Sequence, residues 1–245
     1  MEGVLFDMGD VLYDATSWRR WMTRVLRSAG VPLPYSSLWW LWDRHYLDRV
    51  HRGLIEYRPA FVTFLEHLGL SAAVIQEIEA ATWAWKRQAE GRARPLPGTR
   101  QVLSELVRRG FVLGVLSDSE SPAGRLREKL RKLELGSLFR VVISSIDIGV
   151  TKPDPRGYRQ ALKEMNLLPE QAWFVGHDAD ELDGAHDVGM RTVAFNFTAD
   201  VHADCYLRRL DDLIPAITRR TTAVCQAASV GRRLTACTVS DHSQY

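Results

Sequence analysis

Residues 3–12 read Gly-Val-Leu-Phe-Asp-Met-Gly-Asp-Val-Leu, a short apolar run that ends on the carboxylate of Asp7, turns at Gly9 and leaves as Val11-Leu12. The run is too short for a helix and is closed by a glycine turn, which predicts a buried strand feeding a loop. A buried strand that carries an Asp to its C-terminal end is how open α/β sheets present chemistry. Other stretches share this form. Residues 112–116 are apolar and end on Ser117, and Trp173-Phe174-Val175-Gly176 runs into His177-Asp178-Ala179-Asp180-Glu181. Between them, Gly149-Val150-Thr151-Lys152-Pro153-Asp154-Pro155 fixes a lysine between two prolines. Further strands are expected at residues 141–144 and 191–195, with helices at about 99–109, 122–133, 155–166 and 183–188. Strands alternating with helices mean a parallel sheet covered on both faces.

The region from Asp14 to about Arg94 breaks this alternation, because it reads almost entirely helical. Trp18, Trp21, Met22, Val25 and Leu26 follow the spacing of one helical face behind a Thr16 or Ser17 cap, and Gly30 ends the run. Three more helices are expected at about 36–50, 57–68 and 71–90, stopped by Gly53, Gly69 and the Arg94-Pro95-Leu96-Pro97-Gly98 linker. The expected division is therefore an α/β core of residues 1–14 and 95–217 and an α-helical insert of 15–94. Periodicity vanishes after that, which predicts a disordered tail at 218–245. Seven of the eight tryptophans lie in the insert, where packing of a small helical bundle outweighs a role as substrate lining. Arg44, His45, His51 and Arg52 are the insert's candidates for reaching a substrate.

A net charge of +2 gives no electrostatic case for nucleic acid or membrane. No apolar run approaches the ~20 residues needed to span a bilayer. Cys205, Cys225 and Cys237 are scattered and odd in number, which suggests neither a disulfide framework nor a zinc site. With Asp7 so near the N-terminus, a cleaved leader would remove the first strand, so a cytoplasmic protein is expected.

An Asp, a Ser, a Lys and an acidic cluster in this order, over roughly residues 1–215, resemble the haloacid dehalogenase superfamily. The helical insert looks like the cap of its subfamily I. The resemblance implies a Rossmann-like parallel-sheet core with an all-α cap domain. It also implies Mg²⁺-dependent hydrolysis of a small phosphorylated metabolite through an aspartyl-phosphate, with neither nucleic acid nor membrane as partner and the oligomeric state open. Asp7 would be the nucleophile, since a carboxylate can attack phosphorus and split one displacement into two easier ones. Ser117 and the N–H groups of Asp118 and Ser119 would bind phosphoryl oxygens, and Lys152 would neutralise developing charge and fix Asp7. The metal would lie on Asp7, the carbonyl of Gly9 and an acid of the 177–181 cluster, because Mg²⁺ wants oxygen ligands.

Two positions depart from the family pattern. Where a general acid/base Asp is usual, two residues after the nucleophile, this chain has Gly9, with Asp10 one further on. In an extended chain i+3 points away from i, so Asp10 replaces it only if the turn at Gly9 re-aims its carboxylate. Where a metal-binding Asp is usual after Val175-Gly176, this chain has His177. Imidazole is a poor Mg²⁺ ligand and suits transition metals. Asp178 is therefore expected on the metal, with Glu181 or Asp180 supporting it. In the rival arrangement His177 binds and shifts preference to Mn²⁺ or Co²⁺. The rival functions are a non-catalytic binding or scaffold protein of the same fold, and a metal-free 2-haloacid dehalogenase, which the acid-rich cluster disfavours.

Overall fold

The computed structural model describes residues 1–197 and 200–218, with backbone alone at 90–92; the expected tail lies outside them apart from Thr218. In chain order the core begins with β1 (Gly3–Phe6). The cap follows as α1 (Ser17–Ser28), α2 (Tyr35–Trp42), a π-helical turn (Asp43–Leu47), α3 (Asp48–His51), α4 (Tyr57–His67) and α5 (Ala72–Arg92). The core then resumes with α6 (Thr99–Arg108), β2 (Val112–Ser117), α7 (Ala123–Lys132), β3 (Val141–Ser144), α8 (Ser145–Ile148), α9 (Pro155–Met165), β4 (Ala172–Gly176), α10 (Ala179–Asp187), β5 (Arg191–Phe195), β6 (Cys205–Leu207) and α11 (Leu213–Thr218).

The six strands form one parallel sheet in the order β3-β2-β1-β4-β5-β6. Strand alternation divides the core in two. Val4, Phe6, Val115 and Val175 pack with α6, α7 and α11 on one face. Leu5, Leu116 and Phe174 pack with Tyr158, Ala161 and Leu162 of α9 and Leu182 and Ala185 of α10 on the other. All four residues of β1 are buried, which is why the strand reads as a continuous apolar run. The order reverses at β1, between the early strands on one side and the late ones on the other. A crevice outside the strand ends opens at such a reversal. Phe6 is in register with Val115 and with Val175, so the chain leaves β1, β2 and β4 at one edge.

The cap has its own apolar cluster, drawn from residues 18–78 and centred on Trp42 with Leu38, Phe61 and Phe64. Trp42 is fully buried, while Trp40 is exposed. Expectation and structure differ in a few elements. The helix expected at 36–50 contains the π turn, α10 starts four residues before the expected 183, and α8 and β6 are additional. No helix among the described residues is long and apolar enough to cross a membrane.

Candidate active site

Asp7 sits one residue beyond β1, 5% exposed, with its N–H donating to the Val175 carbonyl at 2.9 Å. Its carboxylate meets Lys152. The Lys152 ammonium bonds Asp7 Oδ1, lies 2.7 Å from Glu181 Oε1, and donates to the Leu116 carbonyl at 3.4 Å. Three elements fix this lysine. Its backbone N–H donates to both oxygens of Asp118 at 3.2 Å. Asp154 caps α9 by accepting from the Arg156 N–H, with Pro155 in the first turn, and so anchors the loop from behind. Gly184 brings α10 against the loop: a Cβ there would stand 2.7 Å from Pro153 Cβ and 2.8 Å from its carbonyl oxygen.

Burial opposes the charge on Lys152, but Asp7 and Glu181 outweigh it and hold the amine well above its ordinary pKa. Glu181 is pushed up to about 8, by burial first and by Asp7 second, against the pull of Lys152. One lysine thus faces two carboxylates, and the site is short of positive charge.

The second oxygens of those carboxylates face His177. Nδ1 of the imidazole lies 3.7 Å from Asp7 Oδ2 and 4.0 Å from Glu181 Oε2. Asp7, His177 and Glu181 each offer one ligand atom, all within 4.8 Å of one another. His177 Nδ1 and Glu181 Oε2 are buried and have no hydrogen-bond partner among the described residues. Such orphaned atoms cost about 1–3 kcal/mol each unless a ligand satisfies them. Two carboxylates and an imidazole nitrogen converging on one point fit a divalent cation, and the imidazole suits a transition metal better than Mg²⁺. On the far side of the ring, His177 Nε2 lies 3.6 Å from Asp178 Oδ2, whose side chain is 61% exposed. A carboxylate there can accept the Nε2 proton when Nδ1 serves as a ligand. Asp180 turns to the cap and pairs with Arg44 at 3.2 Å.

The remaining residues singled out in the sequence lie around this centre. Ser117 ends β2 with 7% exposure, opposite Ser144 of β3. Asp118 accepts from Lys152, and burial raises its pKa. The Ser119 N–H is taken by Ser145 Oγ at 3.0 Å. Gly9 lies in the loop after Asp7, bridged to Tyr13. Asp10 takes a left-handed conformation, φ 53°, and its carboxylate turns toward the start of α1. There it accepts from the N–H groups of Ala15 at 2.8 Å and Thr16 at 3.1 Å and from the Thr16 hydroxyl at 2.7 Å.

The cap closes over this edge by polar contacts. Thr151, next to Lys152, donates to Asp48 at 2.7 Å, and Ser145 donates to the His51 carbonyl at 2.8 Å. His51 Nε2 is 3.8 Å from Glu120 Oε2, and Lys86 Nζ is 3.4 Å from Glu120 Oε1. Arg52 pairs within the cap with Asp48, and His45 packs on the exposed Trp40. Lys86, Glu120 and Tyr57 escaped the sequence reading. The available signal was that Glu120 stands three residues after Ser117 on the same loop.

A family model described as haloacid dehalogenase-like hydrolase matches residues 1–189. The glyceraldehyde 3-phosphate phosphatase of Pyrococcus abyssi is 31% identical, over 79% of this chain and 81% of its own. The phosphoglycolate phosphatase of Yersinia pestis is 25% identical, over 89% of this chain and 93% of its own. Among solved structures, a putative beta-phosphoglucomutase from Thermotoga maritima superposes with a TM-score of 0.63 at 21% identity, covering 89% of this chain and 98% of its own. The L-2-haloacid dehalogenase from Xanthobacter autotrophicus gives 0.63 at 20% identity, covering 90% and 100%.

Proposed function

This chain belongs to the haloacid dehalogenase-like hydrolases, and from that premise we propose that it is a metal-dependent phosphohydrolase of small phosphorylated metabolites. The observation that carries the reading is the divided environment of Asp7. One carboxylate oxygen is held by Lys152, and the other faces the orphaned atoms of His177 and Glu181. A metal-free dehalogenase has no use for that second arrangement. The curated relatives named above are phosphatases.

In this reading a carboxylate oxygen of Asp7 forms a bond to phosphorus as the bond from phosphorus to the leaving oxygen breaks. Water then cleaves the resulting aspartyl-phosphate and regenerates Asp7. Lys152 holds Asp7 in place through their ion pair and offsets charge on the transferring group. Ser117 donates its hydroxyl to a phosphoryl oxygen, with the backbone N–H of Asp118 beside it. Asp7, Glu181 and His177 would hold a divalent cation, with Gly9 supplying its carbonyl, and the cation would supply positive charge between anionic phosphate and anionic carboxylates. Magnesium is the family expectation. With an imidazole in the set, we place Mn²⁺ or Co²⁺ ahead of it, with Asp178 orienting the ring. The cap excludes bulk water from the reacting atoms.

The test is phosphate release from acetyl phosphate and p-nitrophenyl phosphate with Mg²⁺, Mn²⁺, Co²⁺ or EDTA, wild type beside Asp7→Asn. Turnover that needs metal and is lost in Asp7→Asn is expected. Metal-independent release of halide from 2-haloacids would replace this reading with the dehalogenase one, and affinity without turnover would favour a binding protein. His177→Asp is expected to move metal preference toward Mg²⁺ in binding titrations; an unchanged order would mean that the imidazole is not a ligand.

A further inference from the structure

Attacking and leaving oxygens lie roughly in line across phosphorus during phosphoryl transfer. Lys152, Glu181 and His177 gather around the Asp7 carboxylate, which places all three on the attacking side. A proton donor for the leaving oxygen therefore has to come from the loop after Asp7, the loop after β2 or the cap. The loop after Asp7 offers Gly9, which has no side chain, and Asp10, which is fixed at every polar group. The Asp10 N–H donates to the Tyr13 carbonyl, and the Asp10 carbonyl accepts from Asn196 Nδ2, each at 2.8 Å. One carboxylate oxygen accepts from the N–H groups of Ala15 and Thr16, and the other from the Thr16 hydroxyl. Swinging that carboxylate toward a substrate would break these bonds and release the segment leading into α1.

The other two sources are engaged as well. On the loop after β2, both oxygens of Asp118 accept the Lys152 N–H. Lys86 and His51 of the cap are turned to a carboxylate, at 3.4 Å and 3.8 Å from Glu120. The Tyr13 ring packs on the core beneath Lys129, 3.8 Å from its ammonium. Burial first, then Glu120 and Asp7, raise the pKa of its phenol, which keeps its proton.

We propose that this centre cleaves phosphoric anhydrides, acyl phosphates above all, and discriminates against phosphate esters of alcohols, because no side chain among the described residues is placed to protonate the leaving oxygen. The proposal rests on the phosphohydrolase reading of Asp7. As the bond from the Asp7 oxygen to phosphorus forms, the electron pair of the breaking bond stays on the leaving oxygen. That oxygen departs as an anion and takes a proton from water afterwards. The transition state is loose, so the leaving oxygen bears most of this charge at the barrier. A carboxylate, whose acid has a pKa of about 4, carries the charge readily; an alkoxide does not. The contribution forgone is that of a general acid, roughly 10²–10⁴ in rate. In the second step water attacks phosphorus, its proton passes to the released phosphate, and the group that leaves is the Asp7 carboxylate held by Lys152. That step is itself the cleavage of an acyl phosphate, so it runs without a proton donor as well.

The experiment measures kcat/KM of the wild type for p-nitrophenyl, p-cyanophenyl, p-chlorophenyl and phenyl phosphate, with acetyl phosphate and glycerol 3-phosphate as the two extremes. The aryl compounds share one ring and differ in the acidity of the phenol released, so binding is nearly constant along the series. From p-nitrophenyl to phenyl phosphate kcat/KM is expected to fall by at least about a hundredfold, and acetyl phosphate to exceed glycerol 3-phosphate by at least that factor. For phenyl phosphate kcat/KM is expected to be the same in D₂O as in H₂O on the pH plateau, since no proton moves in the transition state. A smaller fall along the aryl series, a smaller excess of acetyl phosphate over glycerol 3-phosphate, or a slower reaction in D₂O would reveal a working proton donor. Any of these overturns the anhydride proposal and leaves the phosphohydrolase reading standing. No turnover of any phosphate overturns both.

Discussion

At the scale of single residues, the site stores protons as well as charge. Burial and Asp7 raise Glu181 toward 8, and burial raises Asp118. At His177 burial opposes protonation, but Asp7, Glu181 and Asp178 outweigh it and raise the imidazole as well. All three shifts have one sign. A group whose folded pKa exceeds its unfolded value takes up protons on folding, so its stabilisation is full at low pH and fades as pH rises through the folded value. For the two acids the window runs from an unfolded value of about 4 upward, to about 8 for Glu181. Groups shifted downward, such as Glu105 and Glu120, titrate below this window. The metal-free protein should therefore lose stability between pH 5 and pH 8, by at most about 1.4 kcal/mol per pH unit for each proton released. A divalent cation should flatten the slope, because it takes the place of those protons. Melting curves across this range, with EDTA and with Mn²⁺, check it; a flat metal-free profile would refute it. Asp10 offers a second residue-scale test. Among the described residues its side-chain hydrogen bonds come from the segment leading into α1, and an asparagine can still accept from the N–H groups of Ala15 and Thr16. Asp10→Asn should leave the rate ratio of good to poor leaving groups within about threefold of wild type. A proton donor at this position would instead cost roughly 10²–10⁴ on poor leaving groups alone.

At the scale of elements, the decisive contact is α10 against the Lys152 loop. Gly184 permits it: any Cβ there would collide with Pro153 backbone as well as side chain. Gly184→Ala should push the helix outward and stretch the 2.7 Å contact between Lys152 and Glu181, at a cost of about 1–3 kcal/mol. The matching functional expectation is a fall in kcat and weaker metal binding, measured by isothermal titration, with the cap's own helices unaffected. Stability and metal affinity equal to wild type would mean that the contact is not tight. This element also marks where the sequence was legible and where it was not. The strands were readable because they are buried on both sides and so run as unbroken apolar stretches. The helix start was misjudged because Asp178, Asp180 and Glu181 read as a loop, although acids belong in a first helical turn, where they meet the helix dipole. Starting the helix at Ala179 brings Glu181 together with Asp7 and His177, while Asp178, also expected on the metal, keeps an exposed side chain 3.6 Å from His177 Nε2. The three-residue β6 and the π turn left no periodic trace to read.

At the scale of the whole molecule, the apolar clusters on the two faces of the sheet and the cap's own cluster are joined across a polar seam between cap and core. The order of nucleophile, serine, lysine and acids could be read along the chain; the seam could not, because contacts such as Asp48 to Thr151 and Lys86 to Glu120 join residues far apart in sequence. The energies on the two sides of that seam differ. Each exposed ion pair across it is worth about 0–1 kcal/mol. Truncating a buried tryptophan costs about 3–5 kcal/mol. Trp42 is fully buried in the cap cluster and packs against the rings of Tyr46, Tyr57, Phe61 and Phe64. Trp42→Ala should therefore unfold the cap at a lower urea concentration without carrying the core with it. The tryptophans report this directly, since seven of eight lie in the cap, whereas far-UV circular dichroism sees the core's sheet and helices as well. In the variant the fluorescence midpoint should drop, while part of the dichroism transition stays at the wild-type midpoint. Coincident transitions that shift together would mean that the seam couples cap and core into one cooperative unit, with closure over Asp7 built into the folded state instead of being a separate equilibrium.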